Sequence, residues 1–373
     1  MITKRNKNNM QITINKKKFI DALTIGGAMA SKAKTMPILE FTKITVAQDL
    51  LTLYSFDMEC GVTKSVPAIC VGEGEFAVNA GEFIKVLKAL VEEEVTLFVD
   101  NTTLSIDHIK GSISMPIMDA STFPTISLGS GDTKTLAIDT NKLQEWISVA
   151  TNFAAADDLR PVMCGMYLYA KEGKMGICAT DAHKLYTDSI DYEGDELSII
   201  IPSRAFKPLL TLMANHDNVS AIVDSRNITF ETSDAKLCCR LVEGNYPNFK
   251  AVIPQGNNVK VEVSKAELYD SINRASLMAD TSTSLLKLNV EDDAMTIESK
   301  DIDFSKSAKE KVTITKSGND VTIGVKSSFF SICLSSLDCE DVVIRFGDST
   351  KPIVFEDSTN PNKVVLVMPM MIN

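Results

Sequence analysis

No apolar run in this chain approaches the roughly 18–20 residues that a membrane helix needs, so no segment reads as a bilayer span. Cysteine occurs at 60, 70, 164, 178, 238, 239, 333 and 339, and no two form a Cys-x-x-Cys pair. That scatter argues against a zinc site or a disulfide framework and for reduced thiols in a cytoplasmic protein. Histidine is scarce: His108 and His216 have no ligand-like spacing to the one His-bearing acidic pair, Asp181 and His183. No P-loop or nucleophile elbow is present, and Gly72-Glu-Gly74 and Gly26-Gly27 are isolated turn signals. Catalysis, a metal and a cofactor are therefore not expected, although an Asp/His pair alone can serve general-base chemistry. Positive charge is in deficit, 38 basic against 49 acidic residues, for a net charge of −11. This excludes a wholly basic nucleic-acid binder but not a basic stripe, because the local field steers a ligand. Residues 1–9 are basic and Asn-rich with no apolar core behind them, so they read as a flexible extension, or as a consequence of start-site choice with Met10 the effective beginning, and not as a signal peptide.

What is present is globular composition, 45% apolar and 23% charged, in a chain long enough for two or three domains. The chain also repeats itself. Phe83, Phe206 and Phe329 each open an apolar helical pattern, at spacings of 123 residues. Each pattern follows a strand-like run (Glu75–Val78, Ser198–Ile201, Val321–Val325) and precedes another (Val95–Val99, Val219–Val223, Val342–Phe346). Phe123-Pro124, Tyr246-Pro247 and Met368-Pro369 close the units, and a strand-then-helix opens each, around Phe19, Leu143 and Leu268. The third opening carries a capping box, Ser264-x-x-Glu267. Alternation in Leu51–Phe56 and Leu104–Ile109 predicts sheets with one buried face. Two helices and about eight strands per unit make an α+β module with helices packed on antiparallel sheet. Polar, Gly-bearing linkers at 129–132 and 254–258 place the modules at 10–128, 133–254 and 259–373.

On this threefold frame, several segments resemble one family. Thr35-Met-Pro-Ile-Leu39, Ala179-Thr-Asp-Ala-His-Lys-Leu185, Tyr246-Pro-Asn-Phe249 and the tail Val367-Met-Pro-Met370 are similar, in order, to segments of the bacterial DNA polymerase III beta subunit, the sliding clamp family. The resemblance runs from Met10 to the last residue. It implies three clamp domains and a head-to-tail homodimer forming a six-domain ring around duplex DNA. Such a ring tethers the replicative polymerase, is loaded by a clamp loader, and holds other clamp-motif proteins. A second, non-enzymatic reading is a clamp-like scaffold, phage- or plasmid-encoded, that binds proteins without being the replication clamp.

Residue by residue, the resemblance implies a peptide groove of Met163, Thr180, Ala182, His183, Lys184, Leu185, Pro247, Val252, Phe329, Leu366, Val367, Met368, Pro369 and Met370. Ala182 stands where glycine is usual, Lys184 for arginine, Ala251 for a basic residue and Thr283 for an aromatic one, and Met371-Ile372 for Arg-Leu or Arg-Thr. A shifted motif preference follows. The implied DNA-facing set is Lys32, Lys34, Lys85, Lys88, Lys142, Arg160, Arg204, Lys207, Arg274 and Lys326, with Lys16, Lys17, Lys18 and Lys265 nearby. A sliding protein needs such phosphate contacts but little base readout. Pro161 and Val162 stand where tyrosines can occur, which removes aromatic stacking there. The implied dimer interface sets Ile113 and Met115 against Leu277 and Met278; as a sequence pattern alone, all four also suit an ordinary core.

Overall fold

The computed structural model describes residues 10–30, 36–126, 132–157, 159–214 and 216–372. The expected flexible extension and the 129–131 part of the first linker lie outside the described residues. The first repeat runs β1 (Met10–Asn15), α1 (Lys16–Gly26), β2 (Thr42–Ala47), β3 (Leu50–Phe56), β4 (Cys60–Pro67) and β5 (Ile69–Val71). It continues through β6 (Gly74–Val78), α2 (Ala80–Ala89), β7 (Glu94–Val99), β8 (Thr103–His108) and β9 (Gly111–Pro116). The second comprises β10 (Lys134–Leu136), α3 (Thr140–Phe153), β11 (Gly165–Lys171), β12 (Lys174–Thr180) and β13 (Lys184–Asp191). After these come β14 (Leu197–Pro202), α4 (Phe206–Met213), β15 (Ser220–Val223), β16 (Asn227–Glu231) and β17 (Ala235–Arg240). The third holds β18 (Val259–Ser264), α5 (Lys265–Ser276), β19 (Leu285–Glu291), β20 (Ala294–Asp301), β21 (Lys306–Thr313) and β22 (Thr315–Ser317). It ends with β23 (Val321–Lys326), α6 (Ser327–Ser335), β24 (Asp341–Phe346), β25 (Ile353–Asp357) and β26 (Asn360–Val367).

The same local chemistry starts the first helix of each repeat. Asn15, Asp139 and Ser264 accept from the amides of Lys18 (3.1 Å), Lys142 (3.0 Å) and Glu267 (3.5 Å), satisfying a helix donor that has no partner inside the helix. The Ser264 half of the expected capping box is therefore formed. Lys16 Nζ donates to Leu90 O and Lys265 Nζ to Leu337 O, both at 2.7 Å, tying the first helix of repeats one and three to the chain just after the second. In the middle repeat Thr140 Oγ1 does this, accepting from the Val219 amide at 3.0 Å.

One landmark moves. The fourth residue of the second helical segment is Phe83 in the first repeat, Phe206 in the second and Phe330 in the third, and all three are buried. Phe330, not Phe329, is the core residue; it packs edge-on against Phe355 at 5.0 Å, as Phe83 does against Phe19 at 5.3 Å. The extra residue before α6 turns Phe329 out of the core.

Two compact units result. The first, Met1–Gln144 with Arg204–Leu241, holds a five-stranded sheet (β5-β1-β7-β8-β9) and an eight-stranded one (β10-β15-β16-β17-β4-β3-β2-β6). In the larger sheet β17 of the second repeat pairs with β4 of the first, Cys239 opposite Cys60. Both faces of β17 are covered, so adjacent Cys238 and Cys239 are both buried. The second unit, Glu145–Ser203 with Val242–Asn373, holds a nine-stranded sheet (β14-β11-β12-β13-β26-β25-β24-β18-β22) and a four-stranded one (β21-β20-β19-β23). Its seam joins β13 to β26, Leu185 opposite Leu366. Within the polar, Gly-bearing linker expected at 254–258, Asn257 is buried and its Nδ2 donates to Arg345 O (3.1 Å) and Pro352 O (2.8 Å).

An ionic cluster backs that seam. Lys363 of β26, 3% exposed, lies 2.6 Å from Asp338, 3.4 Å from Asp357 and 3.5 Å from Glu145 of α3. Asp188 of β13 accepts from Trp146 Nε1 (2.7 Å) and Asn360 Nδ2 (3.0 Å). A buried ammonium is tolerated only when paired in this way.

Candidate functional site: a groove beside the C-terminal segment

The turn between β12 and β13 positions the first wall. Asp181 Oδ1 accepts from the amides of His183 and Lys184, both at 2.9 Å, and the same carboxylate pairs with the Lys184 ammonium. Thr180 Oγ1 donates to Lys184 O (2.7 Å) and accepts from the Ala182 amide (3.1 Å). Ala182 sits at φ 73°, in the left-handed region that costs a residue with a Cβ about 1–2 kcal/mol. This explains physically why glycine suits that position. Asp181 is thus consumed by the turn and is not a base for His183, which removes the one catalytic pairing in the sequence. Among the described residues, no group of three or more His, Cys, Asp or Glu side chains is placed to hold a metal.

The C-terminal segment forms the second wall. The Met368 amide donates to His183 O (2.8 Å) and the Met370 amide to Gly324 O (2.7 Å), so the segment passes from β26 onto the edge of β23. A Cβ at Gly324 would lie 2.5 Å from Met370 O, so only glycine admits this approach. Phe329 is half-buried, with the His183 ring stacked on it (5.7 Å, 22°) and the Lys184 ammonium 5.1 Å from its centroid.

Of the residues implied for the groove, Ala182, His183, Pro247, Val252, Phe329, Met368, Pro369 and Met370 are at least partly exposed. Met163, Thr180, Lys184, Leu185, Leu366 and Val367 are buried and act as scaffold. Leu185 and Leu366 pack with Phe249, Cys178 and Val354. Beside them Tyr246 stacks on Tyr167, with centroids 4.9 Å apart and planes at 7°. The motif match did not single out Gly324 or the positioning role of Asp181. The close approach that demands glycine and the turn that absorbs the carboxylate are both set by neighbours distant in sequence or by backbone geometry.

The basic residues separate into classes. Lys32 and Lys34 lie outside the described residues. Lys85 and Lys88 on α2 and Lys207 on α4 are exposed, and Lys142 on α3 is half-buried. Arg160 pairs with Asp157 (3.4 Å), and Arg204 with Glu59 (3.2 Å) and Asp57 (3.7 Å). Arg274 donates to Glu310 at 2.7 Å, and this contact holds its guanidinium above the usual arginine range. Lys16 and Lys265, committed to carbonyls, serve the fold. Lys326, expected to face DNA, lies with Nζ 4.6 Å from the Phe329 centroid, because it ends β23 at the N-cap of α6.

At the implied interface, Leu277 is 72% and Met278 37% exposed, which an ordinary core does not allow. Ile113 is half-buried, and Met115 is buried in its own repeat's core, so Met115 supports the surface from beneath. β9 and β21 are terminal strands of their sheets, each with one edge unpaired among the described strands.

Comparison with known proteins matches all three repeats. Residues 10–127, 137–248 and 250–371 match the N-terminal, central and C-terminal domains of the DNA polymerase III beta subunit. The chain is 24% identical to the beta sliding clamp of Staphylococcus aureus, covering 97% of this chain and 99% of that one. With the Pseudomonas aeruginosa clamp the identity is 23%, over 97% and 100%. Among solved structures it is similar to the beta subunit of Thermotoga maritima (TM-score 0.89, 25% identity, 98% and 100% covered). It also shares the fold of a Bartonella birtlesii clamp bound to griselimycin (TM-score 0.91, 22% identity, 98% and 100% covered). Matched in order along nearly its whole length, the chain belongs to the DNA polymerase III beta subunit family.

Proposed function

We propose that the exposed part of the groove, around Phe329 and Met368–Met370, is where this chain holds its protein partners, with modules bounded near 10–128, 133–254 and 259–373. The chain is a non-enzymatic processivity factor, a homodimeric clamp that encircles duplex DNA and tethers the polymerase and other clamp-binding proteins. The observation that carries the groove reading is the terminal segment, held by backbone hydrogen bonds to His183 on one side and Gly324 on the other. That fixes an apolar wall with methionines, whose flexible thioethers adapt to varied ligands. An extended peptide with alternate apolar side chains is the ligand such a wall fits.

Lys85, Lys88 and Lys207 are the foremost candidates for phosphate contact, Lys142 belongs to the same set, and Arg160, Arg204 and Arg274 are weakened by carboxylates beside them. Loose, salt-sensitive contacts suit a body that must slide. We place the protein in the cytoplasm; among the described residues no helix is long and apolar enough to cross a membrane. The test is loading by a clamp loader onto nicked circular DNA, followed by cutting. Retention on the circle and loss within seconds of linearisation are expected, and equal retention on both forms refutes enclosure. In parallel, Phe329→Ala with Met368→Ala should abolish polymerase capture while leaving DNA retention intact.

A further inference from the structure

The groove carries a charge that its apolar lining does not need. Phe329 has three cationic or potentially cationic neighbours: His183, Lys184 and Lys326. Lys184 is buried and neutralised by Asp181, so it has nothing to offer a ligand. Lys326 differs. It is half-buried, its ammonium rests 4.6 Å from the ring centroid, and among the described residues no carboxylate lies within ion-pairing distance of it. An ammonium has three N–H donors, and contact with a ring face leaves capacity for a charged acceptor. The ring also restrains a side chain that otherwise loses rotamer freedom on engaging a ligand.

Backbone geometry keeps this cation beside the groove wall. Gly324, two residues before Lys326, accepts from the Met370 amide, and Met368 is bonded to His183, whose ring shares Phe329 with Lys326. We propose that Lys326 over Phe329 is a carboxylate subsite of the groove, selecting an extended apolar peptide that carries an acidic side chain beside its anchor. This rests on the groove reading above. The net charge of −11 works against long-range attraction of an acidic peptide. The selectivity is therefore local and expressed in the dissociation rate more than in the association rate.

The experiment uses the full-length protein and two fluorescein-labelled leucine-rich heptapeptides, identical except for glutamate or glutamine on both sides of the apolar anchor. Fluorescence anisotropy at about 50 mM salt gives both affinities, where surface pairs are not fully screened. The glutamate peptide is expected to bind about fivefold more tightly, the value of a partly exposed pair near 1 kcal/mol. Lys326→Met, which retains an apolar stem on the ring, draws the two affinities together, whatever it does to their mean. An unchanged thermal midpoint shows that the variant is folded. Equal binding of both peptides by the parent protein overturns the subsite and leaves the groove standing. A preference that survives Lys326→Met overturns the assignment to Lys326. Binding of neither peptide removes the groove reading and the subsite with it.

Discussion

At the residue scale, the adjacent phenylalanines of α6 have opposite tasks. Phe330 is fully buried against Phe355, and Phe329 is left half-exposed beneath His183. Phe330→Ala should therefore cost about 3–5 kcal/mol of unfolding free energy through the cavity it leaves. Phe329→Ala should cost less than half of that in the same urea titration while removing peptide binding. Equal destabilisation by the two changes would show that the core assignment is wrong. The sequence could not separate them, since Ser-Ser-Phe-Phe lets either ring start the helical pattern and an even spacing of 123 favours the wrong one. Only the helix start, set by the preceding strand, decides. Ala182 offers a complementary case. Its φ of 73° makes Ala182→Gly stabilising by up to about 1 kcal/mol once glycine's added chain entropy is counted. A lower thermal midpoint for that variant would contradict the strain.

At the element scale, β26 carries more than its share. It pairs with β13 on one side and β25 on the other, holds Lys363 in the ionic cluster, and leads into the groove wall. Burial works against ionisation of Asp357, but hydrogen bonds from the Thr359 hydroxyl and amide, with Lys363 nearby, outweigh it and hold its carboxyl below the usual range. Lys363 is likewise opposed by burial but pushed upward by Asp338 and its other acidic neighbours. For a depressed carboxyl, the stabilisation is complete above the unfolded value, about 3.9, and is lost as pH falls through the folded one. For a raised ammonium, it is complete below about 10.4 and is lost as pH rises further. Stability should thus be flat across neutral pH and fall below about pH 4. Asp357→Asn should lower the plateau and flatten the acid limb in pH-dependent urea titrations. An unchanged acid limb would remove Asp357 from the cluster's role. Helices and strands were legible locally because period and caps are local signals. The seams β4–β17 and β13–β26 were not, because strand partners in another repeat leave no mark in periodicity. The proposed groove was legible only through family resemblance, and the contact of Lys326 with Phe329 was not legible at all, for the same reason.

At the scale of the whole molecule, the function depends on closure. An acidic body that grips DNA weakly must rely on linkage, and linkage requires that both ends of each chain be occupied by a partner. We propose that the edges of β9 and β21, unpaired among the described strands, and the exposed Leu277 and Met278 are what a free chain presents in that role. In a twofold head-to-tail ring each substitution is present at both interfaces, so its cost counts twice. Leu277→Asp sets a carboxylate without a partner in an apolar contact, which costs more per site than the about 1–3 kcal/mol of an unpaired neutral polar group. Leu277 is 72% exposed within its own chain, so folding should be unaffected. The expected outcome is a change in light-scattering mass from twice 40.7 kDa to 40.7 kDa at micromolar concentration, with the thermal transition of the monomer retained. Retention on circular DNA should fall to the level seen on linear DNA, because an open hoop has no topology to keep. A variant that stays dimeric would move the interface away from Leu277. One that becomes monomeric yet remains on circles would show that adhesion, not enclosure, holds this protein on DNA.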